Sequence, residues 1–204
     1  MFRLTRPSEQ EIAAFLKAEG DAPFSYAEVG ASGGALPPGY TVDHNRVLLG
    51  RGAEVFEAAV AALRAWRMAR LGWAAIHPAD APQAPGRVVA MVVRHYGFWS
   101  LHACRIVYAV DHDEPGAAGA ARRVGFAYGT LPAHAARGEE RFSVEWHRPT
   151  DEVWYDLLAF SRPRHPLARL GYPLGRLQQR RFGRDSKAAM VAAVGMTGVG
   201  GLVT

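Results

Sequence analysis

Covalent and metal cross-links are scarce in this sequence, and their scarcity is the first thing it decides. One cysteine, Cys104, occurs in 204 residues. No disulfide can form within the chain, so packing alone must hold the fold, as in most cytoplasmic proteins. No run approaches the roughly 18 consecutive apolar residues of a membrane-spanning helix. The first ten residues, MFRLTRPSEQ, carry no apolar core behind their basic residues and do not read as a signal peptide. A cytoplasmic location is the resulting expectation. Eight histidines are present, but HExxH, paired CxxC and EF-hand spacings are missing, so neither His95 with His102 nor the turn at His112 is expected to hold a metal. No cofactor is expected either, because Gly50-Arg51-Gly52 lacks both the GxGxxG context and a Walker lysine, and reads as a turn into a helix. A nucleophilic triad is unsupported. There is no Gly-x-Ser-x-Gly elbow, and Cys104 lies inside the strand-like HACRIVYAV, where it is expected to be buried.

The remaining composition is that of a globular domain, with 49% apolar and 21% charged residues. We expect one domain over residues 1–194 with a short N-terminal helical extension, and a flexible glycine-rich tail over 195–204. Abundant Ala, Arg and Gly suggest a bacterial gene of high G+C content. Charge is uneven: Arg162, Arg164, Arg169, Arg176, Arg180, Arg181, Arg184 and Lys187 face Asp185 alone. Such a cluster is able to attract anionic surfaces. A solvated helix face is the simpler reading, with no nucleic acid bound and no stable membrane insertion.

Periodicity supplies the elements. Ser8 and Glu11 make a capping box ahead of Ile12, Phe15 and Leu16, a helix ending near Gly20. Phe24 to Val29 reads as extended, and Tyr40 to Leu49 as a strand. Phe56, Ala59, Val60, Leu63 and Trp66 form a stripe at helical spacing, so a helix is expected over 53–71 with Gly72 as its stop. Strands follow at Arg87 to His95 and Leu101 to Val110, then an acidic turn from Asp111. Between Arg122 and Pro163 lie three aromatic and β-branched runs. Val124, Phe126 and Tyr128 alternate with Gly125, Ala127 and Gly129; Phe142, Val144 and Trp146 alternate with Ser143 and Glu145; Val153, Tyr155, Leu157 and Ala159 share a side. This is a three-stranded antiparallel meander, with Asp156 expected on its wetter face. Leu167, Leu170, Leu174 and Leu177 then trace an amphipathic helix continuing to Ala188, with Pro173 near an early break.

Several blocks carry a family resemblance: Phe24-Ser25-Tyr26, Leu49-Gly50-x-Gly52, Gly72-Trp73, Cys104 to Tyr108, Gly125 to Pro132, Gly138-Glu139-Glu140-x-Phe142 and Phe160 to Pro163. Over roughly residues 20–192 the chain resembles the uncharacterised protein family 0548 of bacteria and plants. Where that family's loop reads Leu-Pro-Gly-His, this chain has Leu131-Pro132-Ala133-His134. The resemblance implies no particular activity. The element order is also similar to the START-like helix-grip architecture, an α+β fold in which a curved antiparallel sheet grips a long C-terminal helix. Proteins of that architecture commonly hold a hydrophobic ligand between sheet and helix.

The expected partner is therefore a small hydrophobic or lipid-like molecule. Apolar and aromatic side chains with a few polar groups line such sites. If Arg94 and Asp156 face outward, Met91, His95, Tyr128, Trp146 and Tyr155 face inward, and Tyr108 is taken to share the face of Ile106. An enzyme of cyclase or hydrolase type acting on that ligand is the alternative, with His134 and Glu140 as acid and base at the turn between two strands. The third reading is an interaction module that docks anionic surfaces through Arg176, Arg180 and Arg184.

Overall fold

The computed structural model describes residues 2–95, 97–114, 120–164 and 172–195. One antiparallel sheet organises them. Its strands are β1 (Phe2–Arg3), β2 (Thr41–Arg51), β3 (Ala74–His77), β4 (Val88–Arg94), β5 (Trp99–Glu114), β6 (Ala121–Thr130), β7 (Ala136–His147) and β8 (Glu152–Pro163). They lie in the order β2-β8-β7-β6-β5-β4-β3, with β1 paired to the start of β5. The sheet is curled, and a long C-terminal helix lies in it. This is the expected α+β helix-grip arrangement, and the meander 122–163 forms its centre as strands β6, β7 and β8.

Three helices are described: α1 (Glu9–Ala18), α2 (Ala53–Arg64) and α3 (Tyr172–Gly195). The capping box starts α1: Ser8 accepts from the Glu11 amide while the Glu11 carboxylate accepts from the Ser8 amide. Ile12 of this helix packs with Ala90, Val92 and Leu101 on the convex face. On the concave face α2 and α3 cover a larger core built from Phe126, Phe142, Tyr155 and Leu157 of the sheet with Phe56 and Leu63 of α2.

Three sequence expectations change here. The second helix stops at Arg64 rather than continuing to residue 71, because Trp66 turns into the left-handed region at φ 57°. Full burial of its ring accounts for the break. The indole lies edge-on to Phe126 and donates Nε1–H to the Ala81 carbonyl. The C-terminal helix buries a different stripe from the leucines: Leu174 and Leu177 are exposed, while Phe182, Gly183, Ser186, Met190 and Val194 face inward. Small residues at 183 and 186 let the helix approach, and Ser186 Oγ meets Tyr155 Oη at 2.7 Å. Leu167 and Leu170 lie outside the described residues. Finally, the acidic stretch from Asp111 continues β5 to Glu114 instead of turning, with Asp111 paired to Arg122 on β6.

The convex face is not wet. Residues 24–33 cross it as an irregular strap, not as the expected extended segment. Gly129 makes room: a Cβ there would stand 2.1 Å from the Tyr26 hydroxyl. Glu139, 3% exposed, fastens the strap, accepting from Tyr26 Oη at 2.6 Å, from the Gly30 and Ser32 amides at 2.8 and 3.0 Å, and from Ser32 Oγ. Asp156, further along the same face, is also buried, paired with Arg141 at 3.0 Å and His44 at 2.6 Å.

Candidate functional site

Alternation within β7 sends neighbouring carboxylates to opposite faces. Glu139 goes to the strap and Glu140 to the concave side, where α2 no longer covers the sheet. Between this part of the sheet and the first turns of α3 lies a cavity of about 180 Å³. Trp73, Met91, Val93, Leu157 and Phe182 give it apolar walls.

Asp43, Asn45, Ser161, Gln178 and Gln179 add polar groups from β2, β8 and α3, and two further sets come from the centre of the sheet. Tyr128 donates its hydroxyl to the Glu140 carboxylate at 2.6 Å. Ser100 Oγ sits 2.7 Å from both His95 Nε2 and His102 Nε2, and the His134 ring centroid lies 4.7 Å from that of His102. The sheet register sets the separation. Ile106, Tyr128 and Glu140 share one rung, Cys104 and Thr130 the next on that face, and His102, paired with Met91, the one beyond. Four residues of antiparallel strand span roughly 13 Å. Carboxylate and imidazoles therefore mark opposite ends, and Glu140 and His134 are not a contacting acid–base pair.

Burial tunes both sets. Desolvation pushes the Glu140 carboxyl up to about 7, and the Tyr128 hydrogen bond only partly opposes it. At the other end desolvation holds His134 down at about 4 and His102 well below the usual imidazole range. These two rings are neutral near pH 7. The single Ser100 hydroxyl proton divides the roles of His95 and His102: one of these imidazoles donates to Oγ and the other accepts from it. His102 Nδ1 is buried with no hydrogen-bond partner, so the imidazole end keeps spare hydrogen-bonding capacity.

Of the residues singled out from sequence, Met91, His95, Tyr128, His134 and Glu140 line this cavity. Tyr108 does not. A bulge between Ile106 and Tyr108 shifts the register, pairs Tyr108 with Ala127 and turns it to the convex face, where its hydroxyl meets Ser32 Oγ at 2.7 Å. Trp146 shares the concave face but stands at the far end of β7 against Phe56 of α2, with Nε1–H donated to Asp151. Tyr155 is fully buried beneath α3, bonded to Ser186, and contributes no cavity surface. Sequence reasoning passed over Trp73, Phe182 and the part played by His102. The last was legible, since His102 alternates with Cys104 in a strand.

The third reading meets pairing on α3. Arg176 grips Asp43 with both guanidinium nitrogens, and Arg184 reaches Asp185 at 2.9 Å. Ala133, at the place of the family's glycine, needs no left-handed backbone: outside glycine, positive φ occurs among the described residues at Trp66 and Asp151. Glu140, expected at the turn between two strands, lies within strand β7.

Sheet, gripped helix and intervening cavity define a helix-grip α+β protein. Residues 25–189 match the model of the family described as "Domain of unknown function (DUF1990)", and the chain belongs to that family. It is 35% identical over 211 residues to a UPF0548 protein of Dictyostelium discoideum, covering 96% of each chain. It is 36% identical over 208 residues to a UPF0548 protein of Deinococcus radiodurans, covering 96% of this chain and all of that one. A UPF0548 protein of Arabidopsis thaliana is 36% identical over 156 residues, with 76% and 74% covered. An amoeba and a plant among these relatives leave the bacterial reading of the composition without support. Among solved structures, that of Ara h 8.0201 matches with TM-score 0.45 and 9% identity over 76% of this chain and 99% of the other. Human STARD10 matches with TM-score 0.40 and 10% identity over 94% and 81%.

Proposed function

We propose that the protein binds a small hydrophobic molecule in the cavity between the sheet and α3. The observation that carries this reading is the cavity itself: apolar walls with a limited number of polar groups among them. Its size suits a compact ligand. At about 180 Å³ it exceeds the roughly 150 Å³ of an engineered apolar cavity that takes up benzene. A long acyl chain would protrude. We also place the protein in the cytoplasm, on the strength of its one buried thiol, Cys104.

An environment-sensitive hydrophobic dye tests the proposal. Ala159 lines the cavity beside Glu140, and Ala159→Phe places a ring in the empty space. The parent is expected to take up the dye and the variant to lose most of that uptake while keeping its circular dichroism. Uptake unchanged by the filled cavity would refute the reading.

A second reading, an enzyme acting on such a ligand, draws on Glu140, whose carboxyl titrates near neutrality inside the cavity. The separation of the two polar ends favours roles at different points of one molecule over a direct His134–Glu140 relay.

A further inference from the structure

Charge at the cavity wall narrows the class of ligand. The buried carboxylates of the sheet are matched. Asp156 has Arg141 and His44, Glu145 has Arg46 and Arg123, and Glu139 has the strap's amides and hydroxyls. Asp43, at the cavity's edge, is held by Arg176. Glu140 differs: its described partner is the neutral Tyr128 hydroxyl, on one of its two oxygens. No arginine or lysine lines the cavity among the described residues.

We infer that the ligand is a small hydrophobic amine, bound as its ammonium by the Glu140 carboxylate. This rests on the binding reading above and adds the ligand's charge. An ammonium supplies the positive partner that Asp156, Glu145 and Asp43 have within the fold and that Glu140 lacks among the described residues. Charge-assisted hydrogen bonds of this kind are about twice as strong as neutral ones. The ring or chain of the amine lies against Met91, Leu157 and Phe182. A carboxylate or phosphate ligand meets the reverse situation, since it brings a second negative charge beside Glu140 and finds no arginine or lysine among the described lining residues. Its desolvation would go uncompensated. The raised affinity of Glu140 for a proton fits a site that waits for a cation.

Four near-isosteric probes test this by titration calorimetry: 2-phenylethylamine, 2-phenylethanol, phenylacetate and propylbenzene, each with the parent and with Glu140→Gln. In the parent the amine is expected to bind about tenfold more tightly than the alcohol and about a hundredfold more tightly than phenylacetate. In the variant the amine should fall to the level of the alcohol while propylbenzene is unchanged. Phenylacetate or the alcohol binding as well as the amine would overturn the inference, and so would an amine preference that survives Glu140→Gln. Binding of propylbenzene without preference for the amine leaves the cavity reading standing and removes this one. Failure of all four removes both.

Discussion

Tyr128 and Glu140 face each other across β6 and β7, with the phenol donating to the carboxylate at 2.6 Å inside the cavity. That one neutral donor leaves a buried carboxyl with its pKa raised from 4.5 to about 7. A group that holds its proton more tightly folded than unfolded adds stability at low pH and loses it as pH rises from about 4.5 through 7. Glu140→Gln should therefore be near neutral at pH 4 and stabilising at pH 8, by on the order of 2–3 kcal/mol. Urea unfolding at the two pH values checks this, and a stabilisation equal at both would remove desolvation as the cause.

The imidazoles act in the opposite direction. His134 has its pKa lowered from 6.5 to about 4 and His102 is also held well below the usual imidazole range by burial, so the unfolded chain binds protons that the folded one refuses. Their contribution is present above about 6.5 and is lost as pH falls towards 4. His134→Gln should flatten the decline in stability between those values. Denaturation midpoints measured at half-unit pH intervals would show it.

The strap depends on one carboxylate. Glu139→Ala would leave the Tyr26 hydroxyl and the Gly30 and Ser32 amides without their acceptor. Each unmatched buried donor costs about 1–3 kcal/mol, so with three of them the variant should lose roughly 3 kcal/mol or more. Cleavage within residues 24–33 during limited proteolysis is the expected signature. A strap as resistant as the parent's would mean the apolar contacts of Tyr26 suffice.

Trp146 separates packing from binding. It stacks near Phe56, 5.6 Å between centroids, with the Arg148 guanidinium over its ring. Trp146→Ala should cost about 2–3 kcal/mol, below the range of a fully buried aromatic, and leave dye uptake intact because the cavity lies at the other end of β7. Uptake abolished in a folded variant would show that the cavity extends beneath α2.

Removing everything after Pro163 deletes α3 and bares Phe142, Tyr155 and Leu157. Large exposed apolar surfaces drive association, so the truncated chain should be insoluble when expressed. A soluble truncation with a cooperative unfolding transition would contradict a helix integral to the fold.

Much of the architecture is local and was therefore legible. The alternation of Val124, Phe126 and Tyr128 with Gly125, Ala127 and Gly129 states both the strand and its two faces. The capping box starts α1 where Ser8 and Glu11 require it, and the ordered blocks from Phe24 to Pro163 mark the family. The same alternation says that Glu139 and Glu140 point to opposite faces. It does not say that a strap will bury the first or that α2 will stop short of the second.

Tertiary structure decided the rest. A single bulge beside Val107 reverses the face of Tyr108, and periodicity is blind to a one-residue slip. The buried Trp66 ring draws the chain out of a helix whose stripe runs on in sequence. Phe182, Gly183 and Ser186, rather than the leucines, face the sheet because Trp73 and Phe142 receive the ring, Asn45 of β2 leaves no room for a side chain at 183, and the Tyr155 hydroxyl meets Ser186. His102 and His134, 32 positions apart in the sequence, meet because strand pairing returns the β6–β7 connection to β5. Residue order fixes what each segment prefers, whereas the proximity and desolvation that shift His134 and Glu140 arise only when distant segments close on one cavity.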